Sequence, residues 1–233
     1  RESVPRSGAG PDTRTTHDTL TKMRFLVPFE ATQPKTRLDP ILDAGERTAL
    51  ARAMLGDVLG ALLAAGHDPE VVATAPVELA ADTVDGVPVV VDDRRLSAAV
   101  NARLGGTDPV GVLVADLGLV TPEAVASLVA AAADADVAIA PGRGGGTNGL
   151  VVAHPDFRVD FHGVSVRDHL TAARAVGAET RVVDSMRLAT DVDEPADLVE
   201  VLLHGEGEAA AWLRAAGFEL DAGDGRVGVA RTA

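Results

Sequence analysis

Several residue types are scarce in this sequence of 233 residues, and each scarcity excludes a class of site. Cysteine is absent, which excludes disulfide bonds and thiolate metal sites. Tyrosine is also absent and Trp212 is the single tryptophan, so the chain lacks the aromatic platform on which proteins stack single-stranded nucleic acid. No apolar run approaches the roughly 18 residues that indicate a transmembrane helix. We therefore expect no nucleic-acid partner and no membrane partner.

Positive charge is scarce as well. The net charge is −14 at pH 7, and the only lysines are Lys22 and Lys35. This negative surface repels the phosphate backbone of nucleic acids, and an acidic, lysine-poor surface is typical of proteins that work in high salt. We expect a cytoplasmic protein of a salt-loving archaeon, in which any phosphate site depends on a few local cations.

The apolar content of 46% is enough for a full core. Predicted strands and helices alternate along the chain, and residues 23–220 contain no repeat or linker. The sequence therefore predicts one α/β domain, a three-layer sandwich around a mostly parallel central sheet. We expect residues 1–22 to be a disordered extension, or an upstream stretch outside the working protein, and residues 221–233 to be a weakly defined tail. The oligomeric state stays open, a homodimer included.

Glycine is concentrated in one segment, Pro141–Leu150. Closely spaced glycines let backbone N–H groups approach a ligand and form a concave nest for anions, phosphates above all. Thr147 and Asn148 add side-chain donors at the end of this segment. The alternative is a plain hairpin between two strands. Because the segment follows a late strand and leads into another strand, it is neither a dinucleotide fingerprint nor a P-loop.

Two groups of carboxylates are candidate metal ligands. Asp116 follows the most apolar predicted strand, at the carboxyl end where open α/β sheets bind ligands. Mg²⁺ needs only one or two protein carboxylates, although an Asp here can also cap a helix. Asp191 and Asp193 alternate on an extended segment and can share a face. We prefer Asp193 as the second ligand and leave Asp191 open, while either of them, or Glu194, can also cap the helix that follows.

Two cations and one helix start complete the candidate site. Lys35 and Arg37 lie in the loop after the first strand, and Lys35 is a flexible point charge suited to phosphate; the alternative is an ordinary exposed cation. Gly163 and Ser165 precede a helix whose amino terminus attracts anions, although Ser165 can be a plain N-cap. For the histidines nearest to this site, His162 and His169, we expect structural roles.

Taken in order, several motifs over residues 23–203 resemble one known family, the 2-phospho-L-lactate guanylyltransferases of deazaflavin coenzyme F420 biosynthesis. That family has the Rossmann-like fold of nucleotide-diphospho-sugar transferases and is related to the molybdenum-cofactor guanylyltransferases. The motifs are Pro34-Lys35-Thr36-Arg37-Leu38, Ala115-Asp116-Leu117, Gly146-Thr147-Asn148, the segment from Gly163-Val164-Ser165 to His169, and the segment from Asp191-Val192-Asp193 to Leu198.

The resemblance implies an enzyme that joins GTP to 2-phospho-L-lactate, phosphoenolpyruvate or 3-phosphoglycerate, releases pyrophosphate and uses Mg²⁺. It also implies a role for each matching residue. Lys35 and Arg37 would hold the triphosphate, with a further nucleotide contact from Ser97, which stands where the family often has Asn. Asp116 and Asp193 would bind the metal, with Lys35 and Asp116 as the catalytic pair. The phosphorylated acid would be held by Thr147, Asn148, Gly163 and Ser165.

The chemistry fits the absence of an obvious nucleophile or base. A phosphate monoester is already largely ionised at pH 7, so its oxygen can attack without a general base. Two other functions stay open at this point. One is a nucleotidyltransferase of the same fold that acts on a molybdopterin or a sugar phosphate, and the other is a non-catalytic nucleotide-binding module.

Overall fold

The structure, a computed structural model, describes residues 22–79, 84, 86–223 and 225–232. Its centre is a seven-stranded sheet in the order β3-β2-β1-β4-β6-β5-β7. Strand β6 runs antiparallel to both of its neighbours and the other pairs are parallel, which confirms the mostly parallel sheet. The strands are β1 (Arg24–Phe29), β2 (Asp68–Ala73), β3 (Val89–Val91), β4 (Val110–Leu113), β5 (Val137–Pro141), β6 (Thr147–Val152) and β7 (Thr180–Val182).

Local signals in the sequence fix where helices α1 (Ala44–Ala64) and α3 (Pro122–Ala131) begin. Asp43 and Glu46 form a reciprocal capping box at the start of α1. The Thr121 hydroxyl caps α3 and Pro122 is its first residue. The helices are α1 (Ala44–Ala64), α2 (Leu96–Asn101), α3 (Pro122–Ala131), α4 (Ser165–Ala175), α5 (Met186–Ala189), α6 (Asp197–His204) and α7 (Glu208–Ala215).

The sheet is covered on both faces, because side chains along a strand point alternately to either side. Phe25 and Val27 of β1 pack with α1 and α3 in one apolar cluster. Leu26, between them, packs with α2 and α4 in a second cluster. This arrangement confirms the three-layer sandwich. It also places the loops at the carboxyl ends of β1 and β4 along a single edge, where the candidate site lies.

A third apolar cluster joins α6 and α7 to a terminal hairpin of β8 (Phe218–Asp221) and β9 (Gly228–Arg231). The Arg231 guanidinium pairs with Glu46 at the start of α1 and lies 5.0 Å from the centre of the Phe218 ring. The prediction of a weakly defined tail after residue 220 is therefore wrong for β9. Strand β9 was not predicted because the contacts that stabilise it come from residues far away in the sequence.

Other predictions of local structure differ in part. Leu188–Ala189, predicted as a strand, belongs to helix α5, which Ser185 caps. Strand β6 begins at Thr147, three residues before its predicted start at Leu150. The predicted disordered extension over residues 1–22 lies outside the described residues, apart from Lys22. In the part of the chain that the structure describes, helices are too short or too polar to cross a membrane.

Candidate active site

A cleft of about 610 Å³ opens at the carboxyl ends of β1, β2, β3 and β4. Its apolar walls include Phe29, Val72 and Val100, and its polar rim includes Lys35 and Asp116. The run from Asp92 to Arg95, which follows β3, also lines it. This is the edge at which open α/β sheets bind their ligands, and its size suits a nucleotide-sized ligand.

Four of the predicted site residues come together at the mouth of this cleft. The Lys35 ammonium donates to Asp116 Oδ2 at 2.6 Å and to Asp193 Oδ1 at 2.9 Å. Arg37 Nη1 reaches Asp193 Oδ2 at 3.4 Å, and its side chain stays largely exposed. The carbonyl of Asp116 accepts the N–H of Val192 at 3.1 Å, which fixes the 191–193 segment beside the end of β4.

The backbone of Lys35 takes up a strained conformation. Its φ of 54° and ψ of 42° lie in the left-handed region, and in the described ranges it is the one non-glycine residue with a positive φ. Such a conformation costs about 1–3 kcal/mol and is concentrated at functional sites. The carbonyl of Lys35 accepts the N–H of Leu38 at 2.9 Å, which closes the short 3₁₀ turn that follows.

The electrostatics of Lys35 favour its charged form. Burial lowers the pKa of Lys35, but the charges of Asp116 and Asp193 and their hydrogen bonds outweigh burial, so the pKa lies above its usual value. The ammonium is therefore a permanent cation over the physiological pH range. Its side chain is only 10% exposed, so it holds one place in the cleft rather than sampling solvent.

The oxygen atoms here suit a hard divalent cation. Asp116 Oδ1 is buried and has no hydrogen-bond partner among the described residues. A buried carboxylate oxygen without a partner is costly, and a cation would satisfy it. Among the described residues, no group of three or more His, Asp or Glu side chains has a geometry that could hold a metal ion. A metal at Asp116 and Asp193 would thus take its remaining ligands from water and substrate phosphate, as Mg²⁺ commonly does.

Asp191 lies deeper than Asp193 and has different partners. Its Oδ1 accepts the Asn148 amide at 3.1 Å. Burial raises the pKa of Asp191, the Asn148 hydrogen bond opposes this shift, and the charges of Asp116 and Asp193 add to it. Asn148 Nδ2 also donates to the carbonyl of Leu188 at 3.0 Å. Asn148 therefore links strand β6 to the carboxylate cluster.

The glycine-rich segment is a structured hairpin between β5 and β6. Three of its N–H groups are used internally: Gly142 donates to the Gly146 carbonyl at 2.8 Å, Arg143 to the Ala189 carbonyl at 2.9 Å, and Gly145 to the Gly142 carbonyl at 3.0 Å. The nest prediction is wrong for these three groups, because a donor bonded within the protein cannot bind a phosphate. The alternative prediction, a hairpin, is correct.

Glycine is required in this hairpin for two separate reasons. A Cβ at Gly142 would lie 2.6 Å from Asn148 Oδ1, so the glycine makes room for that side chain. Gly145 has a φ of +86°, a conformation that side-chain-bearing residues rarely adopt. Gly142 thus reflects packing and Gly145 reflects backbone geometry.

Thr147, Ser165 and His169 form one buried hydrogen-bonded group. Thr147 Oγ1 lies 2.9 Å from His169 Nδ1, and the Ser165 hydroxyl bonds Thr147 Oγ1 at 3.2 Å. The backbone N–H of Asp160 donates to His169 Nε2 at 2.9 Å. His169 thus contacts Thr147 and shares a hydrogen-bonded group with Ser165, two residues that were predicted to form the acceptor site. Its spacing of four residues from Ser165 on α4 could have indicated that the two side chains lie on the same face of the helix.

Two further residues occupy places with different uses. Ser97 Oγ accepts the N–H of Phe161 at 2.9 Å, so this hydroxyl anchors the segment before α4. Gly163, with a φ of +55°, turns the chain into α4, in which Ser165 is the first helical residue.

Asp197 is a site residue that was not predicted from the sequence. Its carboxylate accepts the N–H groups of Asp193 at 3.0 Å and Glu194 at 2.8 Å. It thereby holds the carboxylate-bearing loop in place.

Comparisons with solved structures give the fold. A protein described as a nucleotide-diphospho-sugar transferase from Desulfovibrio desulfuricans G20 superposes with a TM-score of 0.67 at 19% identity, over 83% of this chain and 94% of that one. A nucleotidyl transferase from Methanothermobacter superposes with a TM-score of 0.53 at 19% identity, over 84% of this chain and 99% of that one.

Sequence relatives are much closer than these structures. The chain is 58% identical over 210 residues to the 2-phospho-L-lactate guanylyltransferase of Halomicrobium mukohataei, covering 90% of this chain and 100% of the relative. It is 55% identical over 211 residues to the enzyme of the same name from Haloferax volcanii, covering 90% and 98%. The family model described as "Guanylyl transferase CofC like" matches residues 23–231. With that match across nearly the whole described fold, the chain belongs to the CofC-like guanylyl transferase family.

Proposed function

We propose that this protein joins GTP to 2-phospho-L-lactate and releases pyrophosphate, in the biosynthesis of the deazaflavin coenzyme F420. Its membership of a guanylyl transferase family supports this assignment, and so do its relatives, which are named 2-phospho-L-lactate guanylyltransferases. The observation that carries it is the ammonium of Lys35 between the carboxylates of Asp116 and Asp193, at the mouth of a nucleotide-sized cleft.

The nucleotide side of the reaction belongs to the cleft over β1–β4. Lys35 and Arg37 provide positive charge for a triphosphate, in a protein that is otherwise strongly acidic. Asp116 and Asp193 would hold Mg²⁺, which when bound supplies further positive charge for the phosphates. Lys35 then serves as a fixed cation that stabilises charge developing around the α-phosphorus as the pyrophosphate leaves.

The acceptor side belongs to the start of β6 and of α4. To this side we assign Thr147, which shares a hydrogen bond with Ser165, and Asn148, whose amide contacts Asp191. Gly163 turns the chain into α4 beside them. Hydroxyl and amide donors suit the phosphate and carboxylate groups of a phosphorylated hydroxy acid. Phosphoenolpyruvate and 3-phosphoglycerate carry the same two anionic groups and are therefore the alternative acceptors.

The reaction needs no residue to remove a proton. The acceptor phosphate is already largely ionised at neutral pH, and its oxygen attacks the α-phosphorus of GTP in line with the departing pyrophosphate. The residues of the site therefore have two tasks, which are to neutralise two polyanions and to align them. The pairing of a cationic nucleotide side with a donor-rich acceptor side performs both.

A pyrophosphate-release assay tests this proposal. GTP, ATP, CTP and UTP are each combined with 2-phospho-L-lactate, phosphoenolpyruvate and 3-phosphoglycerate in the presence of Mg²⁺. We expect the highest kcat/KM for GTP with 2-phospho-L-lactate. A sugar phosphate and a molybdopterin are included as further acceptors. Release only with one of these would contradict the proposal and favour another nucleotidyltransferase, and GTP binding without release would indicate a non-catalytic module.

The acidic composition supports a second proposal, that the enzyme works in the salt-rich cytoplasm of a salt-loving archaeon. The net charge of −14 makes the folded chain repel itself at low salt. Activity and melting temperature should both rise with KCl concentration, because ions screen that repulsion. Equal activity with and without KCl would contradict this proposal.

A further inference from the structure

The hydrogen bonds around His169 fix which of its ring nitrogens carries a proton. The N–H of Asp160 donates to Nε2 at 2.9 Å, and a backbone amide can only donate. Nε2 must therefore present its lone pair. A neutral imidazole with a free lone pair on Nε2 carries its proton on Nδ1. The ring is fully buried, and burial lowers the pKa of His169 to about 4, which keeps it neutral at pH 7.

This tautomer fixes the direction of the next hydrogen bond. The Nδ1 atom lies 2.9 Å from Thr147 Oγ1, so Nδ1–H donates and the threonine oxygen accepts. Thr147 and Ser165 share one further hydrogen bond, of 3.2 Å. The two hydroxyl groups hold two protons and use one of them between themselves. One proton therefore remains for a ligand.

The opposite tautomer would leave the pair with nothing to donate. Thr147 would then give its proton to Nδ1, and Ser165 would give its proton to Thr147. An anionic acceptor needs donors, because phosphate and carboxylate oxygens only accept. The direction set by His169 thus decides whether the hydroxyl pair attracts an anion or presents lone pairs to it.

We propose that His169 is a positioning residue that orients the Thr147–Ser165 hydroxyl pair so that one hydroxyl proton is kept for the anionic acceptor substrate. This inference rests on the proposed function, since it deepens the role of the acceptor side. His169 itself does not contact the substrate, and it acts through Thr147.

Two substitutions separate the donor role of the ring from its structural role. In His169→Asn the amide group can stand in for Nδ1–H and still donate to Thr147. In His169→Gln the longer side chain brings its oxygen to the place of Nε2, where it can accept from Asp160 but no longer donates to Thr147. Each variant keeps a polar, neutral side chain and loses one of the two ring contacts, so each is the control for the other.

The KM for each substrate is measured in the pyrophosphate-release assay. In His169→Gln the hydroxyl pair keeps its spare proton but loses the donor that orients it. We therefore expect the KM for 2-phospho-L-lactate to rise about three- to tenfold, the effect of one neutral hydrogen bond, with the KM for GTP within about twofold of the parent value. For His169→Asn, the KM for 2-phospho-L-lactate and the KM for GTP should both stay close to the parent values. Equal changes in the two variants, or a rise confined to the KM for GTP, would overturn the proposal.

A spectroscopic measurement tests the tautomer without any activity. Long-range ¹H–¹⁵N correlation spectra of protein labelled at histidine distinguish Nδ1–H from Nε2–H rings, and His169→Asn assigns the signal. An Nδ1–H ring at pH 7 is expected, and an Nε2–H or doubly protonated ring would overturn the inference. If the parent enzyme turned over none of the three acids, the proposed function would fail, while these spectra would still decide the direction of the hydrogen bonds.

Discussion

Lys35 Nζ lies 2.6 Å from Asp116 Oδ2, and the same ammonium is 2.9 Å from Asp193 Oδ1. The ammonium thus lies between the two carboxylates that are proposed to hold Mg²⁺. A divalent cation that enters between them therefore competes with Lys35. Binding of the nucleotide would relieve this competition, because the triphosphate offers the ammonium new partners.

Removing this ammonium should have opposite effects on metal binding and on turnover. In Lys35→Met we expect tighter Mn²⁺ binding to the nucleotide-free protein, measured by electron paramagnetic resonance, because two carboxylates lose their internal cation. Turnover should fall on the order of 10²-fold or more, since charge stabilisation at the reacting phosphate is lost. Lys22→Met is the matched control, because Lys22 pairs with Asp68 at an exposed position. Unchanged Mn²⁺ affinity in Lys35→Met would argue against the competition.

Asp116→Asn should remove most of the activity while the fold persists. The substitution keeps the size of the side chain but removes the charge that a divalent cation needs. We expect kcat to fall on the order of 10²-fold, with a melting temperature near that of the parent. Asp134→Asn, at an exposed position on the short helix after α3, is the control and should leave both quantities unchanged. Full activity of Asp116→Asn would contradict the assigned role.

Two alanine substitutions in the glycine hairpin should differ sharply. At Gly142 the added methyl group would meet Asn148 Oδ1 at 2.6 Å, whereas at Gly144 it would meet nothing within 4 Å. Gly142→Ala should lower the free energy of unfolding by about 1–3 kcal/mol and reduce activity, because displacing Asn148 disturbs Asp191. Gly144→Ala should change stability by less than about 0.5 kcal/mol. Denaturant unfolding measures the stability of both variants. Equal losses of stability would mean that the contact between the new methyl group at position 142 and Asn148 costs no free energy.

Stability should fall in acid because His169 is buried in neutral form. Burial lowers the pKa of His169 from 6.5 to about 4, so the unfolded chain binds the extra proton more readily. The stabilising contribution is complete above pH 6.5 and is lost as the pH falls towards 4, by about 3 kcal/mol in total. His169→Asn should flatten the unfolding free energy over this interval. An unchanged slope would mean that the ring is not neutral in the folded state.

Asp57 should give a pH dependence of the opposite sign. Its carboxylate accepts the N–H groups of Glu208 and Ala209 at the start of α7, and burial raises the pKa of Asp57 from 3.8 to about 6. The folded state then binds the proton more tightly, so this contribution is complete below pH 3.8 and is lost as the pH rises through 6. Asp57→Asn keeps an oxygen that can accept the two N–H groups, and it should abolish this loss of stability at higher pH. Denaturant unfolding at pH 4 and pH 7 provides the comparison.

The parts of the fold with local signals were predictable from the sequence. The capping box of Asp43 and Glu46, and Thr121 before Pro122, gave helix starts that the structure confirms. The alternation of apolar strands and helices gave the layered architecture. The terminal strand β9 was missed, because the contact of Arg231 with Glu46 joins residues far apart in the chain.

The site was predictable where position along a strand implies an edge of the sheet. Lys35 and Asp116 were placed at one edge on that ground and do meet there. Asp193, which was chosen from its alternation with Asp191 and from the resemblance, joins them. Hydrogen bonds between residues far apart in the chain could not be predicted from the sequence in this way. Nothing near Ser97 in the sequence indicates that its hydroxyl accepts the N–H of Phe161, and the use of glycine N–H groups within their own hairpin follows from the turn geometry alone.

The reversed direction of β6 determines how this scaffold can diversify. Since β6 starts at the edge where β1 and β4 finish, two of the proposed acceptor residues, Thr147 and Asn148, lie on a hairpin of their own, apart from the strands that lead to Lys35 and Asp116. A change of the proposed acceptor would then need substitutions in that hairpin, with residues 142 and 148 changing together because a Cβ at position 142 would meet Asn148, while Lys35 and Asp116 stay unchanged.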